Sequence, residues 1–143
     1  ERGSLRAIRR LTAADALWPA ELPTTSTATN ALHFPDSLVI ESLCQAAASL
    51  NAMSAVAQPG KAPQHRGYLV SISDFRFAAP ELRARIGETL ILEVLRGEKL
   101  GSVVAFTARA LATADPVAAS GEQAAGSSRE VASGRLLFAV SYA

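Results

Sequence analysis

The sequence is poor in the residues that build most reactive sites. It has one cysteine, Cys44, and two histidines, His33 and His65. A single cysteine excludes an intrachain disulfide framework and fits a reducing compartment such as the cytoplasm. These three residues are too widely spaced in the sequence to suggest a zinc site. There is no Gly-rich phosphate loop and no Gly-x-Ser-x-Gly elbow, so no bound cofactor or elbow serine is implied. Charge is also scarce, at 19% of residues against about a quarter in ordinary domains. That deficit implies a surface partly covered by another subunit. The net charge of +1 excludes the strong basic field of a nucleic-acid or acidic-membrane binder. Glu1 to Arg10 is charged and lacks the apolar region of a secretory signal.

What is present is apolar material, 49% of 143 residues, enough for one domain with one core over residues 1–143. The longest apolar stretch runs from Ser37 to about Ala57. It carries Glu41, Gln45 and Asn51, and no basic residues flank its start, so it reads as a core helix and not a membrane span. Asp36 or Ser37 can cap it. Its apolar residues cover most of its circumference, which predicts burial on most sides. Glu41, Gln45 and Ser49 are spaced by four and share one face.

Before this helix, Ser4–Thr12 reads as a strand with basic residues toward solvent, and 13–30 as irregular. After it, Gln58–Arg66 reads as a Pro/Gly loop with His65 solvated. Strands are expected at Gly67–Phe77, Glu88–Arg96, Ser102–Thr113 and Arg135–Tyr142, with a hairpin turn at 97–101. The Ala/Gly/Ser-rich 114–128 reads as a long mobile connection. No internal repeat is evident. One helix that is apolar nearly all round needs a concave partner, and a curled antiparallel sheet supplies it. The order predicts an α+β fold, a curled antiparallel sheet wrapped around one long central helix.

The residues around the helix start resemble a known signature. His33-Phe34-Pro35-Asp36, then Leu38-Val39-Ile40-Glu41-Ser42-Leu43-Cys44-Gln45-Ala46-Ala47, is similar to the FabZ-type 3-hydroxyacyl-(acyl-carrier-protein) dehydratases of the hot-dog fold. Ile72-Ser73-Asp74-Phe75-Arg76-Phe77 and Gly87-Glu88-Thr89-Leu90 match two weaker elements of that family, in its order. The sequence departs from the family by lacking a Pro-Gly-containing loop between His33 and the helix. The resemblance implies dehydration of acyl-carrier-protein thioesters in fatty-acid or polyketide-type biosynthesis. It also implies an acyl carrier protein with a phosphopantetheine-linked chain as partner, and a homodimer or larger oligomer whose sites draw His and acid from different subunits.

The chemistry suits these residues. A dehydratase needs a base for the proton next to the thioester carbonyl, and His33 titrates near neutrality. It needs an acid for the departing hydroxyl, and Glu41 fills that role if its apolar neighbours bury it and keep it protonated. Gln45, one turn on, is placed to orient Glu41 or a water. The helix N-terminus near Ser37 offers N–H groups to developing negative charge. The alternatives are a solvated loop histidine at 33, a first-turn glutamate at 41 stabilised by the helix dipole, and a buried hydrogen-bonding role for Gln45. Cys44 reads as a small buried hydrophobe, and Arg76 as a strand residue with a structural charge partner. Two other functions stay open on the same fold. One is a silent subunit that binds an acyl chain, carrier protein or active partner; the other is an acyl-thioester hydrolase.

Overall fold

The computed structural model describes residues 3–12, 33–56, 65–114 and 128–142. The elements are β1 (Ser4–Arg10), α1 (Asp36–Val56), β2 (His65–Phe77), β3 (Thr89–Leu100), β4 (Val103–Thr113) and β5 (Arg129–Tyr142). The strands form one open antiparallel sheet in the order β1-β3-β4-β5-β2. α1 packs across one face of it, chiefly over β3. No helix among the described residues is long and apolar enough to cross a membrane.

Alternation decides which face of the sheet is buried. Leu90, Leu92 and Val94 of β3, Val104, Phe106 and Ala108 of β4, and Leu136 and Phe138 of β5 are buried in one core with Leu43, Ala47 and Leu50 of α1. Phe106 and Phe138 meet edge to face, centroids 5.6 Å apart, a favoured aromatic geometry. Small residues at Ala46, Ala47, Ala108, Ala110 and Ala112 leave room for helix and sheet to approach closely. On the other face of the sheet, Glu93 pairs with both Arg6 of β1 and Arg109 of β4.

Several elements are longer than the sequence suggests. β3 continues through Leu100, and the tight turn falls at Gly101, whose φ is +61°. Gly97 is instead a site of close approach, because a Cβ there would lie 3.3 Å from the Ala105 carbonyl oxygen. β5 begins at Arg129, upstream of the strand expected from Arg135. The expectations for 13–30, 58–64 and 115–127 lie outside the described residues. His65 and Arg66 belong to β2, paired with Tyr142 and Ser141, and not to a loop. Arg76 is exposed and has no ion-pair partner among the described residues.

A bulge in β2 shapes the inner face. Register slips between Ser73 and Arg76, and Asp74 there has φ +54°, a left-handed conformation that Asp tolerates better than bulkier residues. The slip lays the Phe75 ring on the backbone of Gly134 in β5, where a Cβ would come within 2.2 Å of the ring.

α1 is not buried on most sides. Its sheet-facing residues are buried, but Ser37, Glu41, Gln45, Ala48, Ser49, Ala52 and Met53 are exposed in the single chain. The exposed side is mostly Ala, Ser and Gln, whose weak polarity disguised it in the sequence. β2, at the edge of the sheet, also exposes Tyr68, Leu69, Val70 and Ile72.

Candidate active site

The site is built around the start of α1. Phe34 is almost wholly buried, and its backbone N–H donates to the Ala84 carbonyl at 2.8 Å. His33 beside it bridges Arg85 backbone to backbone. The Pro35 carbonyl accepts from the N–H groups of Leu38 and Val39, so the helix begins at once. Proline suits this boundary because it cannot extend a helix backward. Asp36 in the first turn pairs with Arg83 at 3.0 Å. His33, the helix start and the 78–88 segment are therefore one tied unit.

That segment is held in turn from β5. Arg129 donates to both carboxylate oxygens of Glu88, at 2.9 and 2.6 Å. The same guanidinium donates to the carbonyls of Leu82 and Arg83. Glu88 also accepts the Arg85 N–H at 2.8 Å. Burial alone would raise the Glu88 pKa. The hydrogen bonds from Arg129 and Arg85, with their positive charges, outweigh it and hold the carboxyl below its ordinary value.

Glu41 is exposed, not buried as its apolar sequence neighbours suggested. Those neighbours, Val39 and Leu43, turn toward the sheet while Glu41 points away from it. Gln45 Nε2 donates to Glu41 Oε1 at 2.9 Å, and Ser49 Oγ donates to the Gln45 carbonyl at 2.8 Å. Gln45 is itself exposed in the single chain. His33 is exposed too, and makes no hydrogen bond to Glu41 within the chain. The structure thus joins Glu41 to Gln45 and leaves His33 a separate surface group. Cys44 is buried, and burial, followed by the Glu41 charge, pushes its thiol pKa up.

Sequence reasoning missed Arg9. Leu5 and Ala7 face the helix, so period two turns Arg9 the same way, and the alternation alone would have found it. Its guanidinium lies 5.2 Å from the Phe34 ring centroid and donates to Ser42 Oγ at 2.9 Å. Cation–π attraction and a hydrogen bond there tie β1 to the helix start.

The fold is the hot-dog fold, a class whose solved members include thioester-processing enzymes. A hot-dog-like protein from Thermanaerovibrio acidaminovorans matches with TM-score 0.62 at 15% identity, over 97% of this chain and 81% of its own. A thioesterase superfamily member from Thermus thermophilus matches with TM-score 0.64 at 11% identity, over 99% and 82%. An acyl-CoA hydrolase from Staphylococcus aureus, solved with butyryl coenzyme A, matches with TM-score 0.62 at 12% identity, over 95% and 64%. No family model matches the sequence, and no curated protein matches it significantly. These likenesses define the fold alone.

Proposed function

We propose that this protein hydrolyses acyl thioesters, with Glu41 as the base and Gln45 orienting it. The observation that carries this reading is the setting of Glu41. Dehydration asks that carboxyl to donate a proton, which burial would enforce. In the single chain it is instead exposed and accepts a hydrogen bond from Gln45, which orients it for the base role proposed. Hydrolysis then proceeds by Glu41 taking a proton from water as the water attacks the thioester carbonyl. With Leu38 and Val39 already donating to Pro35, the N–H groups of Asp36 and Ser37 are the ones assigned to the developing oxyanion, and the thiol leaves with the proton that Glu41 took. The fold likeness to an acyl-CoA hydrolase supports this reading.

The expected assembly is a dimer. Tyr68, Leu69, Val70 and Ile72 leave an apolar, unpaired edge on β2, which favours edge-to-edge pairing with a second copy.

A dehydratase acting on carrier-protein thioesters is the second reading, favoured by His33-Phe34-Pro35 set directly against the helix start. One experiment separates the two. The protein is offered acyl-coenzyme A and acyl-pantetheine thioesters while free thiol is followed, and 2-enoyl thioesters while hydration is followed. Thiol release that falls 10²–10⁴-fold in Glu41→Gln supports hydrolysis. Hydration abolished by His33→Ala, without thiol release, supports the dehydratase. Neither activity on any chain length leaves a silent acyl- or carrier-binding subunit.

A further inference from the structure

The face of the sheet turned away from α1 carries a row of charge. Residues paired directly across neighbouring strands point to the same face, so the strand register lays out one row over the whole sheet. It runs from Arg6 on β1 through Glu93 on β3, Arg109 on β4 and Ser133 on β5 to Arg76 on β2. Arg6, Arg109 and Arg76 are exposed. Glu93 pairs with Arg6 at 3.7 Å and also with Arg109, so one carboxylate is shared between two guanidiniums. Arg76 has no ion-pair partner among the described residues. Beside the row, Arg135 is exposed opposite Thr107, and Glu130 accepts the Ser133 hydroxyl at 2.7 Å. The row itself therefore holds three positive charges against one negative. A depression of about 480 Å³ lies over its β1, β3 and β4 part.

The spacing of the arginines is specific. Strands lie about 4.8 Å apart, so Arg6, Arg109 and Arg76 follow one another at about 10 Å. Residues seven apart on an α-helix share nearly the same face and are separated by about 10.5 Å. Ile8 and Leu95 flank the row on its two sides and are 51% and 47% exposed. These apolar shoulders are about 13 Å apart, four residues along a strand. That width is close to the diameter of a helix with its side chains, about 10–12 Å, and wider than a single extended chain. We propose that this face docks an acidic amphipathic helix of a partner protein, laid across the strands. Its carboxylates at i, i+7 and i+14 meet Arg6, Arg109 and Arg76, and apolar residues on its flanks rest on Ile8 and Leu95. Glu93, midway between the first two arginines, repels a carboxylate at i+4 and so sets the register. The face lies across the sheet from Glu41, so the docked helix leaves the candidate active site open, and the assignment does not depend on the reaction.

The probe is a synthetic helical peptide built on Ala and Gln, with Glu at i, i+7 and i+14, Leu on both flanks and a fluorophore for anisotropy. Wild type should bind it at micromolar concentration in low salt, and more weakly as salt rises. The same peptide with Gln for every Glu should bind at least about tenfold more weakly. Moving the middle Glu to i+4, opposite Glu93, should cost about threefold or more. On the protein, Arg76→Gln with Arg109→Gln should weaken binding about tenfold, about threefold for each exposed pair lost. Arg10→Gln, an exposed arginine off the row, should leave Kd unchanged. The peptide comparisons use wild-type protein, so they decide the matter even where a variant folds poorly. No binding by wild type, or equal binding of the Glu and Gln peptides, overturns the proposal. Equal binding of the two acidic peptides overturns the register. A change in sedimentation of the protein alone on Arg76→Gln with Arg109→Gln gives the face to a second copy of the chain and also overturns it.

Discussion

Replacing Glu88 by Gln should destabilise the protein by about 2–3 kcal/mol, the range for partly buried hydrogen bonds to a charged group. Glu88 is only 13% exposed and Arg129 30%, so solvent screens this pair far less than it does a surface pair, worth about 0–1 kcal/mol. The amide keeps the size of the side chain but turns an N–H₂ toward a guanidinium that was donating to two carboxylate oxygens. A chain of this length should then melt roughly 10 °C lower. The pH dependence has a definite sign. Because the folded Glu88 pKa is held below its ordinary value, its contribution is complete above the unfolded value, about 4.3. It is lost as pH falls through the lower folded value. Chemical denaturation of wild type and variant should therefore show a constant gap near pH 7 that narrows below about pH 4. A gap below about 0.5 kcal/mol at pH 7, or one that widens in acid, would refute the reasoning. Arg129→Lys should cost a similar amount, because an ammonium cannot span the carboxylate and the carbonyls of Leu82 and Arg83 together.

Gly134→Ala should cost about 2–3 kcal/mol by driving a methyl into the Phe75 ring. Combined with Phe75→Ala, the loss should fall short of the sum of the single losses by about 1 kcal/mol; additive losses would show that the ring moves freely aside. Val70→Lys with Ile72→Lys should shift wild-type dimers to monomers in sedimentation, and a wild-type monomer at micromolar concentration would remove the edge interface. Cys44, buried and with its thiol pKa raised, should react with a thiol reagent only after denaturation. Fast native labelling would contradict its burial.

The fold was legible where pattern and chemistry agreed. The apolar run from Ser37 ended in a helix one residue longer at its start, because Pro35 stops anything earlier. Gly87, read as opening a strand, has φ +95° and turns the chain into β3. The readings failed where small residues carry the structure. Gly97 looked like a turn but allows close strand approach, and the small residues Ala132, Ser133 and Gly134 hid the start of β5, since Gly134 is there to receive Phe75. The site was half legible. Residue spacing placed Glu41, Gln45 and Ser49 on one face, and the hydrogen bonds confirm that alignment. Burial of Glu41 was not legible, because hydrophobic neighbours in sequence point away from it on a helix.

The missing loop before the helix changes what holds His33. A longer connection would let loop chemistry set the histidine's place. In this chain a single residue, Phe34, separates His33 from Pro35, and it is buried. The backbone of His33 is bridged to Arg85, and the same segment is pinned by Arg83 to Asp36 and by Arg129 through Glu88. The position of His33 relative to the helix is thus fixed by three arginines remote from the His-Phe-Pro motif. Freedom at this end of α1 is left to the His33 side chain and not to its backbone. The backbone of His33 is thus held firmly, while the Glu41 carboxylate, a separate group on the exposed side of α1, is held by Gln45.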